Sequence, residues 1–300
     1  MEKALILLSQ VMTLGTAECM FHCIFKENEK KINGNPQRGK TVVPATGSLL
    51  YLLLPVHVSA IREQRDWILI GIWMLLPVLI AALIQLTHTE KKGWKIGFGL
   101  VAVLVIGVIG RLDGVAGLTI LFLVCVAGIC RKHWEYPVIG VLGIGAAYPT
   151  YVTWKHWIFD GSFEQSGFEY TSIMDNGYSI GGLFSTYFHR NGDPGMGILL
   201  LGCLLFLLYC NFVKGRKIWT GTDFVWLGTA GLLTLMSLRY FPWDYVQRIG
   251  QWALGLVSLI RTPAVFYTYA QVILCVLSVE KIGNLVMAED AEKLKKAVQQ

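Results

Sequence analysis

Ionisable side chains are scarce in this sequence, so the places where they gather carry information. Glu18 and His22 lie four residues apart, on one face of a helix, and Cys19 and Cys23 share the adjoining face. An acid and an imidazole at that spacing are the ingredients of a proton or metal site, because ionisable groups inside a membrane are functional candidates by default. Against this, a four-ligand zinc site needs better-separated ligand pairs, and groups near a membrane boundary can snorkel out of it. A second set is Arg239, Asp244, Arg248 and Arg261, interleaved with Trp243, Tyr245 and Trp252. Arginine forks bind a phosphate bidentately, although contacts to lipid headgroups use the same residues. A third set, Asp160, Glu164, Glu169 and Asp175, is interleaved with aromatic residues. Rings and carboxylates together suit the stacking and hydrogen bonding of sugars, and a cap that shields a helical bundle would have the same make-up. Asp113 stands beside Arg111 at a turn, where a local ion pair is the simplest account. His57, Lys155 and His156 fall at the ends of apolar runs and read as interfacial. No phosphate loop, dinucleotide fingerprint, nucleophile elbow or CxxC pair occurs, and no metal or cofactor is indicated.

The elements that must position these residues are membrane helices. Of the 300 residues 54% are hydrophobic and 15% charged, against about 25% charged in a soluble domain; so little charge cannot cover a soluble surface. Most of the ten tryptophans sit near the ends of apolar runs, where amphipathic rings mark headgroup boundaries. The net charge of +6 is split into short clusters between those runs, the pattern of topology signals rather than of nucleic-acid binding. All seven cysteines lie in apolar stretches and read as small hydrophobes. Residues 4–25 lack the positive n-region and small-residue cleavage site of a signal peptide.

A helix needs about 20 apolar residues to cross the hydrocarbon core. About nine runs qualify: 4–25, 41–60, 67–87, 95–110, 112–130, 137–158, 195–213, 223–240 and 263–283. The fold expected is therefore all-α, a polytopic transmembrane bundle over residues 1–284. Arg111 to Gly114 forms either a tight hairpin between the fourth and fifth runs or a kink. Gly107 and Gly110, with Gly140, Gly143 and Gly145, offer surfaces for close helix approach.

Charge sets the direction. The odd-numbered loops and the C-terminal residues 281–300, Lys281 included, hold 17 of the 26 Lys and Arg residues and should face the cytoplasm. The segment 159–194 then faces outward; with Asp193 added to its four acids and Arg190 against them, it is acidic, and it is expected to fold back over the bundle. Residues 239–262 read as an interfacial segment on that same outer side, anchored by aromatics and started by Pro242. Residues 285–300 read as a cytoplasmic amphipathic tail with Met287, Ala291, Leu294 and Val298 on one face. Nine spans and an inner C-terminus place Met1 outside, the expectation for the back half of a longer or split membrane protein.

Several short stretches, LLYLLLPVHV (49–58), RDWILIGIWMLLPVLIAALIQLTH (65–88), NGYSIGGLF (176–184) and FPWDY (241–245), occur in an order that resembles a bacterial family. These are the multispan proteins known as membrane "6-pyruvoyl-tetrahydropterin synthase-related" proteins, which look like the GT-C class of membrane glycosyltransferases. The resemblance covers about 40–285. It implies a membrane protein of the cell envelope that moves a sugar from a polyprenyl-phosphate donor to an acceptor on the outer face. Arg239, Arg248 and Arg261, with Trp243, would then meet the phosphate or headgroup, and Asp160, Glu164, Glu169 or Asp175 the acceptor. Two departures stand out. Where the family carries a second aromatic-proline motif, this chain has Arg261-Thr262-Pro263-Ala264. The acidic residue that GT-C enzymes keep in a first outer loop has no counterpart here, so a separate N-terminal half or subunit would supply it. The pterin part of the family name implies a histidine-ligated zinc, which this sequence does not provide. A transporter or lipid flippase, and a non-catalytic membrane subunit, are the other functions the sequence allows.

Overall fold

The computed structural model describes residues 2–29, 39–59, 61, 67–159, 177–183, 196–215, 218–243 and 264–298. Among them every named element is a helix, and the one β-contact is an isolated bridge. In chain order these are α1 (Glu2–Glu29), α2 (Gly39–Leu52), α3 (Pro55–Ser59), α4 (Trp67–His88), α5 (Lys92–Leu112) and α6 (Gly114–Arg131). They are followed by α7 (Glu135–Phe159), α8 (Ile180–Leu183), α9 (Ile198–Phe212), α10 (Gly221–Ser237) and α11 (Ala264–Val298).

Five helical stretches are long and apolar enough to cross a membrane: Lys3–Lys26, Trp67–His88, Lys92–Leu112, Gly114–Arg131 and Val265–Ala288. Val42–Leu52 and Ile198–Phe212 are apolar but shorter. Helices also stand where the sixth and eighth spans are expected, at Glu135–Phe159 and Gly221–Ser237. This is the composition of a multi-pass membrane protein, with five stretches of spanning length among the described residues against about nine expected.

Local sequence explains where the helices start and stop. The break at Arg111 to Gly114 is a turn between two helices. The Asp113 carboxylate accepts the Val115 and Ala116 amides at 2.8 and 3.2 Å and so caps α6. Arg111 reaches across to α7 and donates to the Ala146 carbonyl at 3.1 Å, so both residues have jobs other than a simple local ion pair. The second expected span, 41–60, is broken in two: α2 stops at Leu52 and Pro55 opens α3. A proline lacks the amide that would continue the ladder and its ring clashes with the carbonyl four residues back. At α10, Thr220 and Asp223 form a reciprocal capping box.

Packing radiates from two helices. α4 lies against α1 and α5, and α5 against α6 and α7. α11 packs on α10, α2, α9 and α1, and it buries 67% of its apolar stretch where α1 buries only 22%. α11 is thus the interior helix and α1 a peripheral one. Close approach is carried by glycine where the sequence offered it. A Cβ on Gly143 would sit 2.6 Å from Ile106, and one on Gly107 would sit 3.2 Å from Ala146, so α5 and α7 touch backbone to side chain. The interior also takes in polar residues, chiefly along α11: Thr268, Gln271, Ser278 and Lys281 are all buried. α11 runs without interruption from Ala264 to Val298, 35 residues or about 52 Å, so the expected tail at 285–298 continues the last apolar helix.

Candidate functional site

The described residues bring together two segments that are far apart in sequence. Tyr178 and Leu238 form the isolated parallel bridge: the Tyr178 amide donates to the Ser237 carbonyl at 2.9 Å, and the Arg239 amide to the Tyr178 carbonyl at 3.1 Å. A glycine precedes Tyr178 for a steric reason, since a Cβ on Gly177 would lie 2.5 Å from the Arg239 nitrogen. The stretch then makes the single turn of α8, where the Ser179 hydroxyl accepts the Gly182 amide at 3.0 Å. It ends at Leu183, whose carbonyl takes both the Met196 amide at 2.9 Å and the Tyr267 hydroxyl at 3.1 Å. Side chain and backbone together therefore pin 177–183 between the end of α10 and the start of α11.

Aromatic rings fill the junction. Tyr178 and Tyr267 lie 5.2 Å apart between ring centroids, Phe241 and Trp243 4.6 Å, and Trp243 stacks on Phe266 at 5.8 Å. Trp243 is 3% exposed, yet its indole N–H has no hydrogen-bond partner among the described residues. The same holds of the buried Trp73 indole, and residues 244–263, which follow Trp243, lie outside the described residues. Arg239 and Tyr240 at the rim are exposed. Of the eight residues the sequence nominated, the structure thus places Arg239 on the bridge to Tyr178 and Trp243 four residues on, against Phe266. Arg248, Arg261, Asp160, Glu164, Glu169 and Asp175 lie outside the described residues.

Other polar groups are placed elsewhere. His57 is buried, against expectation: Nδ1 lies 2.8 Å from the Leu52 carbonyl and the ring 5.6 Å from that of Trp73. The break between α2 and α3 frees that carbonyl and folds the imidazole back onto it. Tyr51 donates to the Trp73 carbonyl at 3.0 Å and seals the same corner. Lys281 and Asp223 form a buried pair at 2.7 Å, with Glu280 at 3.8 Å from the ammonium. Asp223 also receives the Thr220 amide and hydroxyl, each at 2.7 Å. Sequence reading counted Lys281 as a charge of the cytoplasmic tail and gave Asp223 no role. The available signal was the Thr-x-x-Asp capping box, which marks a carboxylate already held at a helix start. The Glu18–His22 pair sits on the outer face of α1 at 4.0 Å, and Cys23 turns inward to accept from Gln85 at 3.2 Å. No group of three or more His, Cys, Asp or Glu side chains poised for a metal is found among the described residues. Comparison with protein-family models, curated proteins and solved structures finds no match to the chain.

Proposed function

We propose that the chain binds a polyprenyl-phosphate-linked sugar at the Tyr178–Arg239–Trp243 junction and acts as a glycosyltransferase-like protein of the cell envelope. The observation that supports this reading is the union of two motifs. NGYSIGGLF and FPWDY are the stretches whose order resembles the GT-C-like family; backbone hydrogen bonds tie Tyr178 to Ser237 and Arg239, just ahead of FPWDY, and each stretch packs a ring on the start of α11, Tyr178 on Tyr267 and Trp243 on Phe266. The chain between α10 and α11 thus carries an exposed arginine, Arg239, and four residues on a buried tryptophan, Trp243, whose indole N–H has no partner among the described residues. A guanidinium presents a planar fork of donors to phosphate oxygens, and the neighbouring rings offer apolar area to a polyprenyl chain or a sugar face. Membrane lipids contact the exposed apolar side chains that line the outside of the helices.

Transfer of the sugar requires a carboxylate to take the acceptor's hydroxyl proton and cations to stabilise the departing phosphate. We assign the second role to Arg239, with Arg248 and Arg261, and the acceptor side to Asp160, Glu164, Glu169 or Asp175. The catalytic acid that the family resemblance places in a first outer loop would come from a separate N-terminal half or subunit. The test is binding of polyprenyl phosphate to the purified protein. Arg239→Gln should weaken it about ten- to hundredfold, the worth of a hydrogen bond to a charged group. Equal binding by the variant removes the proposal.

A second reading, a lipid flippase or transporter, has its own support. The α2–α3 break carries a buried histidine, and a charged pair lies within the bundle, the kind of discontinuous polar helix that transporters use. Movement of a fluorescent polyprenyl phosphate across proteoliposomes, without sugar transfer, would favour it over the first.

A further inference from the structure

Two turns separated in the chain lie at one end of the bundle, and both are basic and aromatic. α5 and α7 run side by side in the same direction: a Cβ on Gly143 would meet Ile106 at 2.6 Å, and further along both helices a Cβ on Gly107 would meet Ala146 at 3.2 Å. Followed back to their starts, they bring the turns at 88–92 and 131–135 to the same end, where the Tyr136 hydroxyl donates to the Leu83 carbonyl of α4 at 2.7 Å. Lys91, Lys92 and Lys132 are exposed and Lys95 is half-buried; among the described residues none of the four forms an ion pair. Arg131 adds a fifth cation, against the two acids Glu90 and Glu135. An exposed tryptophan accompanies each turn, Trp94 at 61% and Trp134 at 77%. Beyond them the helix surfaces are apolar and open: Ile96 and Leu100 on α5, Ile129 on α6 and Val138 on α7 are all exposed.

We propose that these two turns form a binding site for an anionic phospholipid. The occupant follows from the order of chemistry along the helices. Lys92 opens and Arg131 closes two stretches of spanning length, so the cations stand at the helix ends, where they attract a phosphate diester. The indoles come next, the side chains that settle at the headgroup boundary. Exposed aliphatic side chains follow, where acyl chains lie. A soluble anion uses the first of these features alone, and an acidic protein surface makes a poor cover for aliphatic side chains. A zwitterionic lipid satisfies the apolar part equally well, but its own cation opposes the lysines, so net negative charge is what the site selects. Positive charge that sets direction is counted loop by loop; the gathering of two loops and two exposed indoles at one end is a property of the fold.

The test is lipid binding to the delipidated protein in mild detergent, read by native mass spectrometry with phosphatidylglycerol and phosphatidylcholine. The unmodified protein should prefer phosphatidylglycerol about tenfold. Lys92→Gln, Lys95→Gln and Lys132→Gln together should abolish that preference and leave phosphatidylcholine binding unchanged. The same loss of charge at exposed lysines elsewhere, Lys3→Gln, Lys26→Gln and Lys214→Gln together, should preserve it. Glycerol phosphate, which has the phosphate without the acyl chains, should fail to displace the bound lipid. Equal affinity for the two lipids overturns the proposal, as does equal loss of preference in the two variants or displacement by glycerol phosphate. Should the first variant not fold, the unmodified protein decides by tryptophan fluorescence. Brominated phosphatidylglycerol should quench it more than brominated phosphatidylcholine, and high salt should remove the difference. Equal quenching at low salt, or a difference that survives high salt, overturns the proposal.

Discussion

Lys281 and Asp223 show what a single buried charge demands of its surroundings. Each is shielded from solvent, and the carboxylate is already bonded to the Thr220 amide and hydroxyl before the ammonium adds its own contact. Breaking such a pair from one side strands the other charge and costs about 3–5 kcal/mol, whereas replacing both is close to neutral. Asp223→Asn or Lys281→Met alone should therefore lower the thermal stability of the detergent-solubilised protein markedly, and the double variant should recover most of it. A second residue-scale expectation concerns Gly177. With Arg239 backbone 2.5 Å from where a Cβ would stand, Gly177→Ala should part the two motifs and weaken polyprenyl-phosphate binding as Arg239→Gln does, while leaving the helical circular dichroism unchanged. At this scale little was legible. Arg239 and Trp243 were singled out from their neighbours in sequence, but Tyr178 and Tyr267 matter through a contact that no local pattern encodes. Lys281 looked like a topology signal because its partner lies on a different helix.

Helices were much easier to read, because twenty apolar residues have few alternatives in lipid. Trp67–His88 differs from the sequence estimate by a single residue at its end, and Lys92–Leu112 extends the run expected at 95–110. The extension takes in Lys92 at one end and Arg111 at the other, charges that hydropathy discounts but that a helix carries easily at its termini. The hairpin at Asp113 depends on one cap: Asp113→Ala should cost about 1 kcal/mol in thermal unfolding without altering helix content. The glycine surface is a firmer constraint. Gly143→Leu drives a large side chain into Ile106, which a Cβ alone would meet at 2.6 Å, and should destabilise by about 1–3 kcal/mol. Gly145→Leu, at a position with nothing within 4 Å, should be tolerated in the same unfolding measurement. Hydropathy did not foresee the division of the second span into α2 and α3, although Pro55 was the cue, because it averages over the missing amide of a proline.

The molecule as a whole joins an interior helix, a peripheral helix that carries Glu18 and His22 one turn apart, and a junction between the end of α10 and the start of α11. Each element takes its meaning from the direction in which the chain crosses the membrane. From the excess of Lys and Arg in alternate loops, the α10–α11 junction is expected on the outer side and the Asp223–Lys281 pair toward the cytoplasm. The glycosyltransferase-like proposal requires the first of these, because lipid-linked sugars would be delivered to Arg239 from that face. The most direct test is the accessibility of position 240, whose side chain is exposed beside Arg239. Tyr240→Cys in intact cells should react with a membrane-impermeant maleimide, above the background of the seven native cysteines. Labelling only after the membrane is permeabilised would put the junction in the cytoplasm and contradict the account.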